Sequence, residues 1–84
     1  MSTVDRKNYE KLVYCLREAR LERGVTQQQI ADKIGLYQSS VAKVERLERK
    51  VDVIELIAWL EVLEIELGDF VVQAGLKPAD AKGT

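Results

Sequence analysis

The sequence predicts an all-α domain of five short helices. Hydrophobic residues recur at helical spacings along most of the chain, and Gly24, Gly35 and Gly75 fall where those stretches end. Pro78, the only proline, lies near the C-terminus, so no predicted helix contains the residue that would break it. With 84 residues, of which 46% are hydrophobic and 32% charged, the chain can form one modest core. We expect residues 1–75 to form that domain and residues 76–84 to be a flexible tail.

The first helix is predicted from about Asp5 or Asn8 to Arg23, and Gly24 is predicted to end it. Its apolar residues follow the i, i+3, i+4, i+7 pattern of one helix face, at Tyr9, Leu12, Val13, Leu16 and Ala19. Cys15, the only cysteine, lies within this helix. We therefore expect it to be a small buried hydrophobic residue rather than a reactive thiol.

Residues 27–46 predict two short helices separated by a tight turn. Thr26 is suited to cap the first of them, because its hydroxyl can accept a free amide hydrogen of the opening turn. Gly35 supplies the turn, and the next helix is predicted from Gln38 through Arg46 or further. The apolar residues that would hold the two helices together are Ile30, Ala31, Ile34, Leu36, Val41 and Val44. Such a pair is typical of a helix-turn-helix, whose second helix enters the major groove of DNA.

The last two helices are predicted to follow Asp52, which is suited to cap the fourth helix. The inner face of that helix is predicted to carry Val53, Leu56, Ile57, Leu60 and Leu63. A short fifth helix is predicted from Leu67 to Gln73, ending at Gly75.

The C-terminal half contains more apolar side chains than this inner face uses. Those in excess are Ile54, Ala58, Trp59, Val62, Ile65, Phe70 and Val71. Because a small monomer has little core to cover them, they favour a homodimer interface formed by the C-terminal helices. The alternative is that the first helix or the tail covers Trp59.

The net charge of −1 is unevenly distributed along the chain. Residues 1–50 contain eleven basic and seven acidic residues, a balance of +4, whereas residues 51–84 contain two and seven, a balance of −5. A protein divided in this way is oriented on nucleic acid with its basic half toward the phosphates. Mixed solvated charges on short helices are the alternative interpretation.

The composition argues against several other classes of protein. The chain has no histidine and one cysteine, so the usual metal ligands are missing, and paired carboxylates such as Glu64 and Glu66 lie on a short surface segment. We therefore expect neither enzymatic activity nor a cofactor. Acidic residues interrupt every apolar stretch, and the N-terminus MSTVDRKNYE lacks the apolar stretch of a signal peptide. A cytoplasmic protein with no membrane partner is expected.

The segment from Leu16 to Val71 resembles the phage-repressor and Cro-like (XRE) helix-turn-helix family. The similarity lies in LREARLERGVTQQQIADKIG for the first two helices and in QSSVAKVER for the recognition helix. It continues in DVIELIAWLEVL and IELGDFV for the closing pair of helices. The resemblance implies a compact five-helix, lambda-repressor-like domain that binds double-stranded DNA.

The resemblance also implies which residues contact DNA. Gln27 matches a glutamine that holds a backbone phosphate in this family. Arg46, Arg49 and Lys50 follow the recognition helix and are further candidates for phosphate contacts. The candidates for reading base edges are Tyr37, Gln38, Ser39, Ala42 and Lys43. The alternative interpretations are polar helix-start residues at Gln38 and Ser39 and a solvated surface turn at Arg49 and Lys50.

Arg20 and Glu45 match a family pair that links the first helix to the end of the recognition helix, which implies a structural role. Two positions depart from the family pattern. The glycine that usually follows soon after this glutamate is missing, because Arg46 and Leu47 come next, so the third helix is expected to extend by a turn. Glu64 stands where a C-capping glycine is common, so the link to the fifth helix is expected to differ.

Two functions fit these expectations. The first is a homodimeric, sequence-specific transcriptional regulator on a roughly palindromic operator, with recognition helices about 34 Å apart. The second is a protein-interaction module, such as an antitoxin that holds a toxin or a bridging factor, which the apolar and acidic C-terminal half favours. Small proteins of the resembled kind include Cro-type repressors, controllers of restriction–modification genes and helix-turn-helix antitoxins.

Overall fold

A computed structural model describes residues 6–76 of the chain. Within that range the chain forms five helices and no strand, which confirms the all-α fold. The helices are α1 (Arg6–Glu22), α2 (Gln27–Ile34), α3 (Gln38–Glu45), α4 (Val53–Leu63) and α5 (Leu67–Gln73). The loose first residues and most of the tail expected from the sequence lie outside the described residues. None of the described helices combines the length and apolar character needed to cross a membrane.

Two of the helices begin at reciprocal caps that the sequence predicts in part. The Thr26 hydroxyl accepts a hydrogen bond from the Gln29 amide at 3.0 Å, and the Gln29 side chain accepts one from the Thr26 amide at 2.8 Å. Asp52 and Glu55 repeat this arrangement at the start of α4, with distances of 2.7 and 3.1 Å. Each cap satisfies backbone amides that have no partner inside the helix, so both helix starts are defined locally.

The core lies between α1, the helix-turn-helix and the last two helices. Its largest fully buried side chains are Trp59, Phe70, Leu16, Ile30, Leu60, Leu63, Val41 and Val44. Ala31 is also fully buried, so α2 can approach its neighbours closely.

The predicted division of α4 into an inner and an outer face is wrong in part. Trp59 is fully buried in the core, as is Phe70 on α5, so neither side chain can belong to a dimer surface. Val53 and Ile57, predicted to face inward, are exposed instead. The physical reason is that the buried face of α4 is rotated toward Trp59 and consists of Leu56, Trp59, Leu60 and Leu63, which places the bulkiest side chain inside.

Two residues other than glycine adopt the left-handed backbone conformation within residues 6–76. Leu47 has φ of 67° and Glu64 has φ of 60°. The expected extension of the third helix is therefore wrong, because α3 ends at Glu45 and Leu47 takes the conformation that glycine usually supplies. Likewise, Glu64 ends α4 as a left-handed cap, so the link to α5 keeps the form that a glycine would give it. Packing on both sides of each turn outweighs a local penalty of about 1 kcal/mol.

Candidate nucleic-acid interface

The helix-turn-helix is formed by α2 and α3 around a turn at Gly35. The backbone amides of Gly35 and Leu36 both donate to the Ala31 carbonyl, at 2.9 and 3.0 Å. Gly35 has φ of 79°, a conformation that side chains disfavour. Ile30, Val41 and Val44 are fully buried behind this turn. The packing fixes the angle between the two helices and turns the opposite side of α3 toward solvent.

The start of α3 presents an exposed polar surface. Gln38, Ser39 and Lys43 are exposed there, and Tyr37 is 82% exposed at the N-cap position. These are four of the five residues that the sequence predicts to read base edges, and their exposure leaves them accessible. Ala42 is different, since it is only 8% exposed and faces the protein interior. The expectation that Ala42 packs against a thymine methyl group is therefore wrong, because the same rotation that exposes Lys43 buries its neighbour.

A chain of side-chain hydrogen bonds connects the recognition helix to the rest of the domain. The Gln38 amide nitrogen donates to Gln27 Oε1 at 2.6 Å. The Gln27 amide nitrogen in turn donates to Glu45 Oε1 at 2.9 Å. Gln27 is the residue expected to hold a phosphate. In the structure its side chain connects Gln38, at the start of α3, with Glu45, at the end of α3, and it fixes the amide of Gln38.

Arg20 completes this chain from α1. Its Nε and Nη2 donate to the two carboxylate oxygens of Glu45 at 2.6 and 2.9 Å, and its Nη1 donates to the Val25 carbonyl at 2.8 Å. The Arg20 and Glu45 side chains are 9% and 3% exposed. The ion pair implied by the family resemblance is therefore present, and its bidentate geometry satisfies both buried charges. The Nε of Arg17 lies 3.9 Å from the same carboxylate.

The candidate phosphate-binding cations after α3 already have partners in the protein. Arg46 binds Glu48 through two hydrogen bonds of 3.1 Å. Arg49 binds Glu55 through two bonds of 3.0 and 2.9 Å, and the hydrogen bond from Arg49 is the main reason that the pKa of Glu55 is lowered. The Nζ of Lys50 lies 5.0 Å from the centre of the Tyr9 ring, which is a cation–π distance.

Tyr9 is a contributor to this region that its place in the apolar stripe of α1 did not reveal. Its hydroxyl accepts a hydrogen bond from the Val51 amide at 3.1 Å and donates to the Arg49 carbonyl at 3.4 Å. These bonds hold the segment after α3 against α1, although the partners are 40 and 42 residues apart in the chain. Tyr9 is half-buried, and within the apolar stripe of α1 only its hydroxyl sets it apart. A sequence pattern carries no information about the partner of that hydroxyl.

The residues expected at a dimer interface are found in three environments. Ile54 is 71% exposed on α4, while Trp59 and Phe70 are buried in the core. The others are half-buried: Ala58, Val62, Ile65 and Val71. Of these, Val62 and Ile65 pack against the core. Ile54 therefore lies on the exposed side of α4 together with Val53 and Ile57.

Comparisons with known proteins agree with this architecture. Residues 16–70 match a family model described as helix-turn-helix. A solved structure of a Y37F mutant of the restriction–modification controller protein C.Esp1396I superposes with a TM-score of 0.74. The match covers 87% of this chain and 95% of that one at 24% sequence identity, so it shows that the two chains share a fold. No curated protein matches the chain significantly in sequence.

Proposed function

Because the chain belongs to the XRE-type helix-turn-helix family of DNA-binding transcriptional regulators, we propose that it binds a palindromic operator as a homodimer. The observation that carries this proposal is the exposed start of α3, where Gln38 is held in one orientation by Gln27. A fixed amide is suited to sequence recognition, because its donor and acceptor are presented to a base without further ordering.

Each exposed residue of α3 has a role in the proposed complex. Gln38 can pair with the N6 and N7 atoms of an adenine, and Ser39 contributes a less discriminating hydroxyl. Lys43, one turn further along α3, reaches guanine acceptors or a nearby phosphate. Tyr37 adds an exposed ring and hydroxyl at the N-terminus of the same helix.

The backbone of the operator would be held by groups that flank α3. The N-terminus of α2 presents free amides beside Gln27, and such helix ends attract phosphate. Lys50 and Arg46 supply positive charge on the other side of α3. The acidic C-terminal half of the chain would then face away from the DNA, which agrees with the charge split along the sequence.

The homodimer would form through the exposed side of α4. Val53 and Ile54 are 60% and 71% exposed, and Ile57 continues the same apolar surface. Half-buried neighbours such as Ala58 and Val62 extend it. A surface of this kind is suited to a second copy of the same chain, and a twofold axis there would give two recognition helices for two half-sites.

Binding to the chain's own promoter tests the DNA-binding proposal. We expect a specific gel shift, with Gln38→Ala and Lys43→Ala each weakening specific binding by about 1–3 kcal/mol if they contact bases. Gln73→Ala on α5 and Lys33→Ala on α2 serve as matched controls of the same residue types and should bind as the wild type does. Salt-sensitive binding with no preference for sequence would contradict the proposal.

The dimer is tested by sedimentation velocity of the wild type and the Ile54→Glu variant. A buried charge at the centre of the interface should shift the population to monomer and reduce operator affinity, while circular dichroism stays unchanged. Leu21→Glu changes an exposed apolar residue on α1 and should leave the dimer intact. A wild type that sediments as a monomer at concentrations that saturate the operator would contradict the homodimer.

A second function is favoured by the same apolar surface of α4, which can also hold a different protein such as a toxin. Native mass spectrometry after co-expression with the product of the neighbouring gene separates the two. A stable hetero-complex whose activity survives Gln38→Ala and Lys43→Ala would favour this second function. Either function places the protein in the cytoplasm, where its DNA or its toxin would be.

A further inference from the structure

The turn after α3 brings a carboxylate onto one of the candidate phosphate-binding arginines. Leu47, in its left-handed conformation, turns the chain, and the Glu48 amide donates to the Lys43 carbonyl at 2.8 Å. The backbone of Glu48 is thereby attached to the last turn of the recognition helix. From this position its carboxylate meets the guanidinium of Arg46 through two hydrogen bonds of 3.1 Å.

The contact between Arg46 and Glu48 has the same form as an arginine–phosphate contact. A carboxylate and a phosphodiester both offer two oxygens to the guanidinium fork, and both give parallel charge-assisted hydrogen bonds. Glu48 occupies the Nε and Nη2 edge of Arg46, which is the edge suited to such bidentate binding. The same carboxylate is also near the proposed base-reading lysine. The pKa of Glu48 is lowered mainly by the hydrogen bond from Arg46, and the positive charge of Lys43 lowers it further.

The neighbouring ion pair of Arg49 and Glu55 is less exposed than that of Arg46 and Glu48, and its carboxylate has a second structural role. Glu55 is only 19% exposed and also caps α4 by accepting a hydrogen bond from the Asp52 amide, so its carboxylate supports the fold. Within residues 6–76, the hydrogen bonds of the Glu48 carboxylate go to Arg46, and the two side chains are 54% and 56% exposed. An exposed pair of this kind adds little to folding stability and can be displaced by a stronger anion.

We propose that Glu48 is an internal competitor for DNA phosphate: it occupies Arg46 in the free protein and thereby lowers the affinity for DNA. The inference rests on the proposed DNA-binding function. DNA must displace the carboxylate to reach Arg46, so breaking the pair of Arg46 and Glu48 opposes binding. The residue thus limits the backbone contribution to binding, which is independent of sequence, and leaves discrimination to the start of α3.

Fluorescence anisotropy with the full chain and a labelled duplex of its own promoter tests the proposal. Glu48→Gln keeps the size of the side chain and removes its charge, so we expect affinity to rise about 2- to 5-fold at low salt. The steepness of the decrease in affinity with salt should also increase, because Arg46 becomes free to displace a counterion. Glu64→Gln, which removes an exposed carboxylate from the end of α4, is the matched control and should change neither quantity.

A second background distinguishes competition for Arg46 from simple repulsion between Glu48 and DNA. In an Arg46→Ala protein, competition predicts that Glu48→Gln gives little or no gain. An equal gain in both backgrounds would overturn the proposal, because the carboxylate would then act on DNA directly. Equal affinity of the wild type and Glu48→Gln would also overturn it. If neither protein distinguishes the promoter from other DNA, operator recognition is contradicted. The competition between Glu48 and phosphate is not, since it does not depend on sequence.

Discussion

The two halves of the domain are held together by different kinds of interaction. On the side of the candidate DNA contacts, α1, α2 and α3 are linked by Arg20, Glu45, Gln27 and Gln38 through hydrogen bonds of fixed geometry, in addition to the apolar core that they share with α4 and α5. On the other side, α4 and α5 contribute Leu56, Trp59, Leu60, Leu63 and Phe70 to that core. Apolar contacts are strong but non-directional, whereas hydrogen bonds orient the groups that make them. The shared apolar core therefore supplies most of the folding free energy, and the hydrogen bonds on one side of it orient the recognition surface.

The largest expected effect comes from breaking the apolar side. Trp59→Ala removes the bulkiest fully buried side chain and should lower the free energy of unfolding by about 3–5 kcal/mol. Urea denaturation followed by circular dichroism measures the loss. Val72→Ala, at a residue that is 61% exposed on α5, should change stability by less than about 0.5 kcal/mol. Similar losses for the two variants would mean that Trp59 is not in the core.

Breaking the polar side at Glu45 should have the next largest effect. Glu45→Ala leaves Arg20 buried with only the Val25 carbonyl as a partner, so we expect a loss of about 3 kcal/mol. The orientation of Gln38 should be lost as well, because Gln27 loses its acceptor. Denaturation and operator binding measured on the same variant report the two effects. Glu22→Ala, at an exposed glutamate of α1, is the control, and an equally small effect at both sites would refute a structural role for the pair.

Removing one hydroxyl tests how firmly the segment after α3 is held against α1. Tyr9→Phe deletes a group that accepts from the Val51 amide and donates to the Arg49 carbonyl. The expected loss of stability is about 1 kcal/mol, since a part-buried amide loses its acceptor. Tyr14→Phe removes an exposed hydroxyl from the same helix and should leave the melting temperature unchanged. If both variants melt with the wild type, the Tyr9 contacts do not stabilise the domain.

The smallest effect is a gain in stability at the end of α4. Glu64 is an exposed residue with φ of 60°, so Glu64→Gly relieves backbone strain and should add about 0.5–1 kcal/mol. Glu61→Gly places the same substitution inside α4 and should destabilise the domain by about 1 kcal/mol. Opposite signs of the two shifts in melting temperature are the expected result, and a loss at both sites would contradict the left-handed cap.

The parts of the molecule that the sequence predicted well depend on near neighbours in the chain. The cap at Thr26, the turn at Gly35 and the five helices follow from spacings of a few residues. The inner face of α4 could not be assigned, because the helix is apolar on several sides and the helices packed against it, α2 among them, decide which residues are covered. Leu47 and Glu64 show the same limit, since a local preference for glycine is smaller than the packing on either side of the turn.

In the candidate site, too, the features set by near neighbours in the chain could be predicted, and those set by distant packing could not. Tyr37, Gln38, Ser39 and Lys43 could be placed on an exposed helix face, because the buried positions of α3 fix its rotation. The ion pair of Arg46 with Glu48 could not be anticipated. It depends on the left-handed turn at Leu47, which brings two side chains together that an extended helix would have kept on different faces.

Trp59 also gives the molecule an optical property. It is the only tryptophan of the chain, it is fully buried, and its indole nitrogen has no hydrogen-bond partner in the described residues. Its emission should therefore lie at short wavelength in the folded protein and move to longer wavelength when water reaches the ring. Since the indole lies in the core and not on the exposed surface of α3, its fluorescence spectrum should follow unfolding and remain little changed when DNA binds.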